Sequence, residues 1–224
     1  MEGDVRLRSA AAEPDEDPSG QVLKVVGLWP HGWAAVASGP AQLGLFHHFR
    51  AVAETTTLPV MLYDIPTRSG RKIDTATILR LADEVQNVVA VKDAAGDVSE
   101  TARLVAAVPE GFEVYSGEDA LTLSLLAVGA VGVVSVASHW ATPETVAMVD
   151  AFFSGDVAGA TAANQRLIPS WEFEAGDLNP NPIPTKAMMK VLGLPGADSR
   201  PPMGPEPDDL QDLARRILVG LGRG

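Results

Sequence analysis

The stretch VVAVKDAAGD, residues 88–97, closes four consecutive apolar residues with a lysine, Lys92. An unbroken apolar run of this length, bounded by Asn87 on one side and by the small and polar residues 93–97 on the other, predicts a short strand covered on both faces. Lysine is rarely buried without a partner or a chemical role. Lys92 therefore reads in two ways. Its stem snorkels to water from a strand end, or apolar walls hold its amine in the neutral form that attacks a carbonyl to make a Schiff base.

Outward from this strand the pattern repeats. LPVMLYDIP (58–66) is an apolar run stopped by Pro66, FEVYSG (112–117) and GVVSVA (132–137) are two more, and VLKVV (22–26) is a candidate fifth. Between them lie amphipathic segments. AQLGLFHHFRAVAE (41–54) sets Leu45, Phe46, Phe49, Val52 and Ala53 at helical spacing, and DTATILRLADEV (74–85) opens on Asp74 as an N-cap. VSETARLVAAV (98–108) follows the Lys92 strand, and EDALTLSLLAVGA (118–130) carries two acids at its positive end. PETVAMVDAFFSG (143–155) has proline in its first turn and Gly155 at its stop.

Strand and helix thus alternate, with predicted strand ends at Tyr63, Lys92, Ser116 and Val136. This is an α/β pattern with a parallel sheet, and both an open doubly wound sheet and a closed barrel place chemistry at the carboxyl ends of the strands. The expected organisation is a leader over residues 1–40, alternating units over 41–155 and a helical appendage over 156–224, the last with Leu210, Leu213, Ile217 and Leu221 on one stripe. Residues 1–20 are acidic and proline-rich and read as disordered, while 27–40 have no usable period.

Composition narrows the function classes. With 29 acidic against 17 basic residues, the formal charge of −12 argues against a nucleic-acid or anionic-membrane partner. The absence of cysteine excludes disulfides, thiolate metal sites and cysteine nucleophiles. The N-terminus lacks the apolar core of a signal peptide. Residues 120–143 carry no Asp, Glu, Lys or Arg, yet Gly129, Gly132, Ser135 and Ser138 interrupt them and no Lys/Arg belt flanks them, so a buried helix leading into a strand is expected there.

Three residues form the sharpest chemical constellation. Tyr63 ends the neighbouring strand at the level of Lys92, where a phenol donates and accepts through one oxygen and serves as a proton shuttle. Arg68, in the turn DIPTRSG, offers a guanidinium that grips a carboxylate with two hydrogen bonds. No metal set competes with them, since His47 and His48 are adjacent on a helix and point apart. No glycine-rich phosphate loop follows a predicted strand, and no GxSxG elbow is present.

Five segments, YDIPTRSG (63–70), VVAVKDAAGD (88–97), YSGEDA (115–120), GAVGVVSV (129–136) and NPNPIPTK (179–186), in this order and at this spacing, closely resemble the dihydrodipicolinate synthase and N-acetylneuraminate lyase family. The resemblance runs from about residue 41 to the end. It implies class I, Schiff-base carbon–carbon lyases on a (β/α)8 barrel, of which this chain holds the C-terminal half with a helical appendage. It implies that Lys92 forms an imine with pyruvate, that Tyr63 belongs to the proton relay, and that Arg68 holds the carboxylate of the second substrate. It further implies that the backbone of Val134 faces pyruvate and that Gly117 lies in the turn beside it. Arg68 favours the synthase of lysine (diaminopimelate) biosynthesis, which joins pyruvate to aspartate 4-semialdehyde, over sugar-acid aldolases such as N-acetylneuraminate lyase. The resemblance implies no cofactor beyond the imine, small-molecule partners only, a homo-oligomer and a cytoplasmic setting.

The departures are as informative. The family's three preceding strand–helix units, with a Thr-Thr-Gly turn that completes the relay, have no counterpart here, and Thr55, Thr56 and Thr57 end a helix instead. A Tyr-Tyr pair of the family falls near Val36 and Ala37. The abrupt change of character before residue 41 predicts a frame-shifted or wrongly started coding sequence, which the three upstream reading frames test. Half a barrel leaves strand edges open and predicts association.

Overall fold

The apolar runs become strands and the periodic segments between them helices. The structure, a computed structural model, describes residues 24–27, 41–176, 179–195 and 198–223. The leader expected over residues 1–40 lies outside these, except for one strand, as do Val36 and Ala37. The described chain falls into two compact units divided between Val134 and Ser135.

The first unit alternates β1 (Lys24–Gly27), α1 (Gln42–Ala53), β2 (Val60–Asp64), α2 (Thr75–Glu84), β3 (Val88–Asp93), α3 (Val98–Ala107), β4 (Glu113–Ser116), α4 (Thr122–Ala127) and β5 (Gly132–Val133). The strands form one sheet in sequence order, β1-β2-β3-β4-β5, with every neighbouring pair parallel. Val60, Leu62, Val91 and Val114 on alternate strand positions pack with Leu45, Phe46 and Phe49 of α1, Ile78 and Leu81 of α2 and Leu104 of α3. These residues form the buried core between sheet and helices, and Met61 and Ala90 on the opposite face are buried as well, which is why β2 and β3 carry no polar alternation there. Asn87 ties the α1–β2 connection to it, donating through Nδ2 to the carbonyls of Ala53 and Thr56 at 3.0 Å each and of Leu58 at 3.2 Å.

Among the described residues β1 pairs only with β2 and β5 only with β4. A parallel apolar strand with an unpaired side presents a row of N–H and C=O groups to any second chain. Light scattering is therefore expected to give a mass above that of one chain, and a well-behaved monomer contradicts this.

Several expectations need correction. The strand expected to reach Val136 stops at Val133, because Ser135 Oγ accepts the Ser138 N–H at 2.8 Å and turns the chain into the next helix. The helix expected from residue 118 begins at Thr122, since Asp119–Leu121 make a tighter 3-10 turn and leave both acids ahead of the helix. Asp74 stands at the N-cap of α2 without capping it through its side chain. Thr77 N–H donates to the Asp74 carbonyl at 2.8 Å, and Gln42 Oε1 braces the start of the helix from outside it, accepting Asp74 N–H at 3.0 Å and Thr77 Oγ1–H at 2.8 Å.

The second unit is helical, with α5 (Ser138–Phe153), α6 (Val157–Glu174), α7 (Ile183–Val191) and α8 (Leu210–Gly220). Pro143 lies within α5, two residues past Ala141, whose φ of −120° and ψ of 28° break the helix and let the proline sit in the first turn of its longer, C-terminal part. Helix α5, counted with the alternating units in the sequence reading, belongs to this unit. Trp140 packs edge-on against Phe173 with ring centroids 5.9 Å apart and donates Nε1–H to Ser170 Oγ at 3.2 Å, joining α5 to α6. On α8 the buried stripe is Leu210, Ala214, Ile217 and Leu218, continued by Leu221 just past its end, while Leu213 is 37% exposed. A period of 3.6 carries the face from 210 to 214 and leaves 213 at its margin. No described helix is long and apolar enough to cross a membrane.

Candidate active site

Parallel register sets the site. Tyr63 on β2 lies opposite Lys92 on β3, which lies opposite Tyr115 on β4. Because Leu62, Val91 and Val114 belong to the helix-packed core, the pleat turns these three residues to the other face of the sheet. Lys92 is only 8% exposed, and its Nζ stands 4.3 Å from the centroid of the Tyr63 ring. The contact is between amine and ring face. The expected facing of phenol and amine is thus realised through the ring.

Three backbone bonds carry the ladder past the strand ends. Ala94 N–H donates to Asp64 O at 2.9 Å, Gly117 N–H to Asp93 O at 2.7 Å and Val134 N–H to Ser116 O at 2.8 Å. Gly117 and Val134 consequently stand one step beyond the Tyr63–Lys92–Tyr115 row. Gly117 is there for space, since a Cβ on it would lie 2.7 Å from Lys92 Cγ and 2.9 Å from Lys92 Cε. The turn after it is held by Ser116, fully buried, whose Oγ donates to Glu118 O at 2.9 Å and accepts from Thr122 Oγ1 at 3.2 Å.

Arg68 occupies the single helical turn Pro66–Ser69 that follows β2. Pro66 starts that turn, and Gly70 ends it at φ 73°, the left-handed conformation that suits glycine. Ser69 Oγ braces the turn against Ile65 O at 3.0 Å and Arg71 O at 2.9 Å. Arg68 itself is exposed, so Lys92, Tyr63 and Gly117 are brought into contact while Arg68 stays on the neighbouring surface.

Two carboxyl groups belong to this region that sequence reasoning did not single out. Burial holds Glu118 above the usual carboxylate range, Asp119's charge adds to this, and the charge of Lys92 pulls the other way, so Glu118 sits within the lysine's field. Its place directly after the glycine of a strand-end turn was the available signal, which the helix-dipole reading obscured. Asp64, 2% exposed, is pushed up to about 6 from an ordinary 3.8, first by burial. The Ile73 N–H bond and Lys72 oppose this shift, and the charges of Asp93 and Asp74 add to it. A raised folded value means that the native state holds the proton more tightly than the unfolded chain. The associated stability is present below about pH 4 and lost as pH rises through about 6, a cost of about 3 kcal/mol at neutral pH. Chemical unfolding across this window is expected to follow that slope in the wild type and to flatten in Asp64→Asn.

His47 and His48 are both exposed and stack edge-on against Phe46 and Phe49 respectively, and no described group of acids and histidines could hold a metal.

Alternating units on a parallel sheet, with a buried lysine at the carboxyl end of one strand, define an α/β protein built on part of a (β/α)8 barrel. The chain belongs to the dihydrodipicolinate synthetase family, whose model matches residues 38–219. It is 48% identical over 164 residues to the 4-hydroxy-tetrahydrodipicolinate synthase of Moorella thermoacetica, covering 73% of this chain and 55% of that protein. With the enzyme of that name from Bacillus subtilis it shares 42% identity over 172 residues, 76% of this chain and 58% of the other. Among solved structures, the dihydrodipicolinate synthase of Thermotoga maritima aligns with a TM-score of 0.79 at 30% identity, over 90% of this chain and 66% of that one. The Bacillus anthracis dihydrodipicolinate synthase aligns with a TM-score of 0.77 at 36% identity, over 89% and 64%. The chain thus spans little more than half the length of the curated relatives it matches.

Proposed function

We propose that this chain provides the pyruvate-binding centre of a class I, Schiff-base lyase acting as a 4-hydroxy-tetrahydrodipicolinate synthase, joining pyruvate to aspartate 4-semialdehyde. The observation that carries the reading is the Lys92 amine, buried at a strand end with its Nζ 4.3 Å from the Tyr63 ring. In its neutral form the amine attacks C2 of pyruvate, proton transfer gives a carbinolamine, and loss of water gives the imine. A proton then leaves the former methyl carbon, and the resulting enamine attacks the aldehyde carbon of the second substrate. Tyr63 donates and accepts protons in these steps, Val134 meets pyruvate through its backbone, and Gly117 keeps the lysine's channel open. The chemistry requires no cofactor besides the imine. The reading extends to a homo-oligomer in the cytoplasm with small molecules as its only substrates.

Arg68 separates this reaction from that of sugar-acid aldolases in the same family. If it grips the carboxylate of the second substrate, Arg68→Ala is expected to raise the KM for aspartate 4-semialdehyde about 10–100-fold while pyruvate imine formation persists. Equal loss of both, or faster turnover of 2-keto-3-deoxy sugar acids by the wild type, overturns the assignment. A second reading, an inactive part of a longer enzyme, is favoured by the 55% coverage of the relative from Moorella thermoacetica. It predicts no turnover by the chain alone.

A further inference from the structure

Asp64 is a buried carboxyl group that the proposed reaction leaves unused. It follows Tyr63 on β2, faces the helix side of the sheet, and accepts the Ile73 N–H through Oδ1 at 3.0 Å. Asp64 and Ile73 bracket the segment that carries Arg68. Inside that segment the bonds of Ser69 Oγ and the Gly70 N–H bond to Pro66 O at 2.9 Å make a self-contained turn. Such a turn moves as a piece, and its position depends on how its far end is anchored. Among the described residues, Asp64 anchors it from the strand, Gln42 from α1, whose Nε2 donates to Lys72 O at 2.9 Å, and Glu100 from α3, whose carboxylate lies 3.7 Å from Lys72 Nζ. Of these three, the Asp64 bond is the one that ties the far end to the strand that carries Tyr63.

We propose that Asp64 is a positioning residue that clasps Ile73 and so fixes the Arg68 turn relative to Tyr63 and Lys92. This rests on the reading of Arg68 as the grip for the second substrate's carboxylate. The charged groups around Asp64 are Asp93 on β3, Lys72 within the clasped segment and Asp74 at the start of α2. Asp93 is engaged elsewhere, accepting Ala95 N–H at 2.9 Å and Thr101 Oγ1–H at 2.6 Å, so it does not substitute for Asp64 at Ile73. The clasp requires an acceptor oxygen at this position, which asparagine also supplies and alanine does not.

Amide hydrogen exchange on the full chain, read peptide by peptide and at Ile73, tests this directly. In the wild type the Ile73 amide should be as protected as the Ala94 amide, and an Ile73 that exchanges like open loop overturns the proposal without any variant. Asp64→Ala should speed exchange at Ile73 by at least about tenfold, whereas Asp64→Asn should stay within about threefold of wild type. In the same proteins Asp64→Ala should raise the KM for aspartate 4-semialdehyde about tenfold with the borohydride-trapped pyruvate adduct on Lys92 intact, and Asp64→Asn should restore it. An unchanged KM in Asp64→Ala, or an Asp64→Asn variant that behaves like Asp64→Ala, defeats the positioning role. A wild type with no adduct on Lys92 defeats the imine reading instead, and the exchange data still decide whether the clasp exists.

Discussion

Incubation of the chain with pyruvate and borohydride is expected to add one reduced pyruvyl group, and peptide mapping to place it on Lys92. Lys92→Ala should abolish the adduct and lower any turnover by on the order of 10³-fold or more, since the nucleophile's role passes to no other group at this level of the sheet. The row beside Lys92 offers only Tyr63 and Tyr115, and neither carries an amine. Lys92→Arg keeps the cation near the Tyr63 ring but supplies a guanidinium that stays charged at working pH and does not attack carbonyls. It should fold like the wild type and form no adduct. This separates loss of the nucleophile from loss of a packing contact, which an alanine variant alone leaves mixed. Lys186, on the described surface of the helical unit, gives an internal control, because its peptide should remain unmodified in all three proteins. An adduct on Lys186 and none on Lys92 sinks the assignment.

Legibility in the sequence followed the range of the forces involved. The strands were readable because each is a short apolar run, and Lys92 stood out because its charge breaks such a run. The level of Tyr63 with Lys92 was readable too, since consecutive parallel strands present their carboxyl ends together. The ends of elements were harder. Whether GVVSVA stays extended to Val136 depends on one hydroxyl, Ser135 Oγ, meeting the Ser138 N–H, and no periodicity reports that. Asp74 looked like the side-chain cap of α2 on local grounds, yet its side chain makes no cap bond and its N–H is held by Gln42, more than thirty positions away. The missed carboxyls fall in the same class. Asp64 drew no notice in a chain rich in acids and Glu118 only as a helix-start charge, whereas burial raises both and Glu118 also lies within the field of Lys92. VLKVV was readable as a strand and corresponds to β1, while the rest of residues 1–40 lies outside the described chain.

Gly117→Ala should cost function far more than stability. A methyl group at this position would lie 2.7 Å from Lys92 Cγ and 2.9 Å from Lys92 Cε, closer than carbon atoms tolerate, and a tight 3.0 Å from Ala94 Cβ. Something must move. The backbone at Gly117 is held by its 2.7 Å bond to Asp93 O and by the buried Ser116 before it, so the flexible lysine stem is the softer partner. Overpacking a built core costs about 1–3 kcal/mol, and a stem free to swing keeps the loss near the lower figure. Swinging the stem, however, carries Nζ away from the Tyr63 ring. A displacement of about 1 Å at a reacting group is worth about 10²-fold in rate, so the yield of the Lys92–pyruvate adduct at short times should fall by that order. Urea unfolding and adduct formation measured on the same protein distinguish the two effects. If stability and adduct yield fall together, or if the adduct forms at the wild-type rate, then the glycine does not keep the lysine's channel open. If the fold survives and the adduct forms about a hundredfold more slowly, the missing side chain at residue 117 is part of what lets a buried lysine act as a nucleophile.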